Sequence, residues 1–265
     1  LPIGTDSQIP KKPYSIALAL SDKIDSLVGF FGVNLKPTSS KDPYALRRLA
    51  IGMIKIILEN RKTIKLRDLI NYSLQLYNEQ NLNFNSENTS KDLAIFLKDR
   101  FKNYMKEKNV RQDIIESSTS SYNIDDILKI YKKASTLNNM ISKDIGLDVI
   151  FTYKRASNIL IDEINKNNLE ISDIADPGLF KNDFEKKLYK KIHDIRKEFS
   201  SISRENDYKG LLQSLASAKI EVTEFFENVK VNDADIVIKK NRLELLKMLC
   251  KTFDNYFNFS KIESL

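Results

Sequence analysis

Apolar positions recur at intervals of three and four along most of this chain, the spacing of one helix face rather than the alternation of a strand. Pro13 stands where a first helical residue would, and "YSIALALSDKIDSLVGFFG" reads as an amphipathic helix ending near Gly32. Asp42 and Pro43 then supply an N-cap and a first-turn proline for a second helix. Its stripe is Leu46, Leu49, Ala50, Met53, Ile54 and Ile57, and Ile51, Ile56 and Leu58 widen it nearly all round. A helix apolar on almost every side is expected at the centre of a core. Further helical patterns run over 66–78, 90–107, 124–142, 146–165, 181–200, 207–228 and 235–257. Between them, "ESSTSSYN" at 116–123 is small and polar without periodicity and is expected to break the helices. "LEISDIADPGLF" reads as an extended loop, and "NVKVNDADIVIKK" alternates enough to imitate a short strand at the start of the last helix.

Composition supports the same class. Only 7 Gly and 6 Pro punctuate 265 residues, too few for the turns that sheets require, so an all-α helical bundle is expected. No apolar run approaches the ~18 residues of a membrane span, and "LPIGTDSQIP" does not read as a signal peptide. A single Cys and a single His argue against a disulfide framework and a zinc site. The expectation is a soluble cytoplasmic protein with no membrane partner. Net charge is +7, carried mostly by the first half: residues 1–121 hold 19 Lys/Arg against 13 Asp/Glu, and residues 122–265 hold 24 against 23. A basic surplus suits a polyanion such as RNA but does not require one.

The residues with chemical potential are few. Asp22 and Asp25 lie three apart on the first helix, yet a metal site would need histidines that the chain lacks. His193, flanked by charge in "EKKLYKKIHDIRKEF", reads as a surface residue, and Cys250 in "LLKMLCKTF" as a small core hydrophobe. There is no Gly-rich phosphate loop, zinc cluster or Ser-centred elbow, so no self-contained active site is legible. Three basic groups remain: Lys36, Lys41, Arg47 and Arg48; Lys154 and Arg155, with Asn158 one turn on; and Lys239, Lys240 and Arg242. Arg grips phosphate through a planar fork of donors, and Asn reads base edges. Any one such group, taken alone, is more often a solvated helix face. Arg47 and Arg48 point about 100° apart, which predicts one paired with a carboxylate and the other free for phosphate.

Longer words carry more. "ALALSDKIDSLVGFFGV", "PTSSKDPYALRRLAIGMIKIILEN", "YKRASNIL" and "FFENVKVNDADIVIKKNRLELL", ending in "FNFSKI", occur in this order and span nearly all 265 residues. Together they closely resemble the C-terminal part of the bacterial glycine–tRNA ligase beta-subunit family. The resemblance implies the end of an HD-like domain over 1–35, a helical linker domain over 36–116, and a DALR-like anticodon-binding helical domain over 117–265. Asp22 matches the late aspartate of the HD superfamily, without hydrolase activity implied. It further implies a heterotetramer of two alpha and two beta subunits, in which the alpha subunit makes glycyl-adenylate and the beta subunit grips glycine tRNA. ATP and magnesium would serve that whole enzyme, with no cofactor in this segment. The RNA contacts expected are Tyr153, Lys154, Arg155, Asn158, Lys239, Lys240, Arg242, Arg47 and Arg48, with Tyr153, Arg155 and Asn158 offering stacking and base-edge groups. Two departures stand out: Ser21 for alanine in "ALSDK", and Lys230 where relatives often carry Met. The other reading is a helical scaffold holding subunits together, its apolar second helix and Phe225, Phe226, Phe253 and Phe257 serving as core and interface.

Overall fold

The computed structural model describes residues 8–82, 84–120, 125–167, 170–205 and 207–263, and among them there is no β-strand. The chain divides into two compact units, residues 1–115 with 119–132, and residues 116–118 with 133–265.

Unit 1 is assembled from α1 (Pro13–Gly32), α2 (Leu46–Glu59), α3 (Leu66–Glu79) and α4 (Ser86–Glu107). Helix α1 packs on the other three, so the segment expected over 1–35 shares one unit with nearly all of 36–116. Pro13 opens α1 as its first residue. Ala50, Met53, Ile54, Ile56 and Ile57 of α2 are at most 1% exposed, which accords with a helix whose apolar positions run nearly all round. Its start differs from the sequence reading. Asp42 does not begin the helix: residues 42–45 form a turn closed by the Ala45 amide on the Asp42 carbonyl (3.1 Å), and Ala45 takes a left-handed conformation with φ of 56°. The Asp42 carboxylate still caps, accepting from the amides of Leu46 (2.8 Å) and Arg47 (3.0 Å) across that turn.

The stretch expected to be a break is partly helix. Residues 116–118 end α5 (Gln112–Ser118), and Ser117, Ser118 and Thr119 are buried. Thr119 turns its hydroxyl onto the Ile115 carbonyl at 2.7 Å. Short hydroxyl side chains can satisfy themselves on the backbone in this way, and so enter a core despite a polar composition. Residues 121–123 of that stretch lie outside the described residues. Helix α6 (Ile127–Met140) follows.

Unit 2 is organised around α7 (Asp144–Asn167). It packs on α9 (Tyr208–Ala216), α10 (Lys219–Asn228) and α11 (Ile236–Asp254), while α8 (Asp183–Glu205) packs on the same three. The helix expected over 207–228 is therefore two, separated by a turn at Ser217 and Ala218. Ala218 is fully buried there; its lack of bulk lets the chain bend against the core. "LEISDIADPGLF" is a loop with one short 3-10 turn, Pro177–Leu179. The strand-like "NVKVNDADIV" forms no ladder: its residues 229–235 are a loop between α10 and α11, and Asp235 caps α11 through the Val237 amide at 2.9 Å.

Candidate nucleic-acid interface

Three of the nine expected RNA contacts lie inside unit 2, and each is fully engaged there. Tyr153 is 4% exposed and meets Phe253 and Phe259 with ring centroids at 6.0 and 5.6 Å. Its hydroxyl faces the Asp254 carboxylate at 3.5 Å, and Asp254 in turn accepts from the Phe259 amide at 3.0 Å. Burial disfavours the ionised form of both groups and raises their pKa values above the ordinary ones. A ring so enclosed has no free face on which a base could stack.

Arg242 is 5% exposed. Its Nε donates to Glu185 (2.7 Å), and its Nη1 to Asp233 (2.6 Å) and to the Lys230 carbonyl (2.9 Å). The other Glu185 oxygen accepts from the amides of Lys181 (2.7 Å) and Asn182 (3.0 Å). Arg242 therefore ties α11 to the entrance of α8 and to the loop after α10. Lys239 is likewise buried and pairs with Glu163 of α7 at 2.6 Å. Nothing local in the run Lys239-Lys240-Asn241-Arg242 reveals that carboxylates from other parts of the chain will meet its first and last cations. Lys240, between them, is exposed.

The remaining contacts expected on α7 do face outward. Residues Phe151, Arg155 and Asn158 are spaced four and three apart, which places them along one ridge. Phe151 is 47% exposed, although it is flanked in sequence by the buried Ile150. The Arg155 guanidinium is half-buried, 4.8 Å from the centre of the Phe226 ring and 5.8 Å from that of Phe151. Phe226 is itself only partly covered, whereas its neighbour Phe225 is fully buried. Lys219 of α10 lies 6.0 Å from the Phe151 ring and 2.5 Å from Asp148. Asn158 is exposed and Lys154 half-exposed. The result is a shelf of two aromatic rings and a guanidinium plane, edged by a carboxamide. Such a shelf can take a splayed nucleotide, because every base has a π-face and arginine adds attraction for base and phosphate. Phe151 and Phe226 were missed as candidates; the cue was present, since Phe151 lies four residues before Arg155 on the same side.

In unit 1, Arg47 donates through Nη2 to the Thr38 carbonyl, while Arg48 is exposed. The carboxylate partner expected for one of them is not found among the described residues; the nearby Asp42 carboxylate accepts from the Leu46 and Arg47 amides. Lys36 pairs with Asp92 at 2.6 Å, and Lys41 is exposed. Tyr44, 44% exposed, stacks on Phe30 at 4.3 Å.

The other candidates have structural surroundings. Asp22 and Asp25 are exposed, and no group of three or more His, Cys, Asp or Glu among the described residues could hold a metal ion. His193 is exposed against the Tyr189 ring at 4.5 Å. Cys250 is buried, and burial pushes its thiol up to about 12, which leaves it unreactive at neutral pH. No helix among the described residues is long and apolar enough to cross a membrane.

Comparison with known proteins divides the chain in a similar way. Residues 1–120 match the family described as glycyl-tRNA synthetase beta subunit, and residues 149–265 match the DALR anticodon binding domain. The chain is 37% identical to the glycine–tRNA ligase beta subunit of Rickettsia canadensis over 98% of its own length and 37% of that protein. Identity to the corresponding subunit of Clostridioides difficile is 32% over 99% of this chain and 37% of that protein. For Cereibacter sphaeroides the figures are 31%, 99% and 38%. The chain thus spans well under half the length of these relatives.

Proposed function

Because the chain belongs to the glycine–tRNA ligase beta-subunit family and carries a DALR anticodon-binding domain, we propose that unit 2 grips the anticodon of glycine tRNA on the outer ridge of α7. In this reading the chain is a tRNA-handling part of a cytoplasmic alpha2beta2 ligase that joins glycine to its tRNA at the expense of ATP. Adenylate chemistry, with its ATP and magnesium, belongs to the alpha subunit. The observation that carries the reading is the Arg155 guanidinium held over Phe226 and Phe151 with Asn158 open one turn away. Arg155 would hold a phosphate or stack beneath a base, Asn158 would meet a base edge, and Lys154 and Lys240 would add general attraction for the backbone. Arg48 and Lys41 offer unit 1 a separate phosphate contact.

The scaffold reading has one observation in its favour. Tyr14 and Leu18, one turn apart on α1, are 67% and 73% exposed, which suits contact with protein more than with RNA. It concerns unit 1 and leaves the α7 ridge unaccounted for.

The test compares tRNA affinity and melting temperature for Arg155→Ala and Asn158→Ala at two salt concentrations. Each substitution is expected to weaken binding by about 1–3 kcal/mol, roughly ten- to a hundredfold. Only Arg155→Ala should also flatten the salt dependence, by the loss of one phosphate contact. Unchanged affinity and salt slope in both variants would remove the ridge from the RNA site.

A further inference from the structure

Arginine stays charged at any pH a protein meets, so a guanidinium drawn partly out of water needs a partner. Arg47, Arg111 and Arg196 are half-buried and each has one: the Thr38 carbonyl, the Asp113 carboxylate at 2.7 Å and the Thr252 hydroxyl at 2.8 Å. Arg100 on α4 is half-buried without one. Its Nε–H is enclosed with no acceptor, and its guanidinium makes no hydrogen bond or ion pair with any described residue. What it does meet is the ring of Phe96, with the guanidinium 5.6 Å from the ring centre. Phe96 in turn packs on Phe31 of α1 at 5.1 Å.

Unit 1 thus repeats a device of α7. There Phe151 precedes Arg155 by four residues and lies 5.8 Å from its guanidinium; here Phe96 precedes Arg100 by the same four. Four residues bring two side chains together on one helix face. Asp92, four residues before Phe96, is already held by Lys36 at 2.6 Å. Asp99 is exposed about 100° round the helix from Arg100 and makes no ion pair among the described residues. The planar fork of Arg100 is therefore left for an oxyanion from outside the unit, a phosphate or a carboxylate by its geometry. The charge of the unit favours phosphate. Residues 1–121 hold 19 Lys/Arg against 13 Asp/Glu, and Lys41 and Arg48 are exposed in the same unit, a balance that attracts a polyanion.

We propose that Arg100, steadied over Phe96, grips a backbone phosphate of the tRNA outside the anticodon arm, so that the two units hold one RNA at two places. The inference rests on the tRNA-binding reading of this chain. In that reading unit 2 occupies the anticodon loop, and the phosphate taken by unit 1 belongs to another part of the molecule. A phosphate contact positions the RNA and carries no sequence preference of its own. Its effect is on affinity and register, because two linked contacts bind more tightly than either alone.

The experiment uses the chain of 265 residues with two RNAs, whole glycine tRNA and its isolated anticodon hairpin, at two salt concentrations. Arg100→Ala should weaken binding of the whole tRNA about tenfold and reduce its salt slope by about one, the signature of one lost phosphate contact. Its binding of the hairpin should equal that of the parent chain, which also shows that unit 2 is intact. Arg100→Lys keeps the charge and should restore the salt slope. Arg155→Ala is the converse control and should weaken both RNAs. Since the Arg100 fork makes no bond within the fold, both Arg100 variants should melt with the parent. Whole-tRNA affinity and salt slope unchanged in Arg100→Ala would overturn the contact while leaving the anticodon site standing. Weaker association of that variant with the alpha subunit, at unchanged tRNA affinity, would give the fork to a protein carboxylate and overturn it likewise. Equal losses on whole tRNA and hairpin would overturn its place outside the anticodon arm. Failure of the parent chain to bind either RNA would overturn the anticodon-binding reading itself, and this inference with it.

Discussion

Adjacent cations in this chain have opposite fates, and side-chain chemistry alone does not separate them. Arg47 turns back on the Thr38 carbonyl while Arg48 faces solvent; Lys239 is buried against Glu163 while Lys240 is exposed. Neighbours on a helix differ by about 100°, so each pair straddles the boundary between core and water. Arg242 lies entirely on the core side. Replacing it by alanine leaves Glu185, fully buried, with its two backbone donors but no counter-charge. We expect Arg242→Ala to cost about 3–5 kcal/mol, the usual penalty for orphaning one member of a buried ion pair. Urea unfolding of the variant would measure it. Material that remains folded should bind tRNA as the parent does, which distinguishes a structural tie from an RNA contact.

At the scale of the element, helix ends are set by what the neighbouring backbone permits. Helix α2 begins at Leu46 because residues 42–45 turn first and Asp42 caps from four residues away. The turn between α6 and α7 is a sharper case. A β-carbon added at Gly146 would fall on the Met140 carbonyl oxygen and the Ile141 α-carbon. Both are backbone atoms that cannot swing aside as a flexible side chain would. Gly146→Ala is therefore expected to destabilise the protein by about 1–3 kcal/mol through overpacking, despite the better helix propensity of alanine. A melting temperature equal to or above that of the parent would contradict this close approach.

For the whole molecule, the expectation is binding without chemistry. Among the described residues the only cysteine is buried with a raised thiol and the only histidine rests on a tyrosine ring. The chain alone should give no glycine-dependent exchange between ATP and pyrophosphate, and exchange by the pure chain would refute the assignment of adenylation to the alpha subunit. Much of this architecture was present in the primary structure. Apolar residues at intervals of three and four can be buried together only on a helix, so the all-α class and the central place of α2 follow from local spacing. The four ordered words likewise carried the family. Tertiary packing decided the site. Tyr153 and Phe151, two residues apart, lie about 200° apart on α7, and only the arrival of Phe253 and Phe259 from distant parts of the chain determines which ring is enclosed. Arg155 and Arg242 are alike as side chains; Glu185 and Asp233 neutralise one inside the fold, while Phe226 holds the other at its surface. Burial and pairing are properties of helices brought together across long stretches of sequence, and no local window contains them.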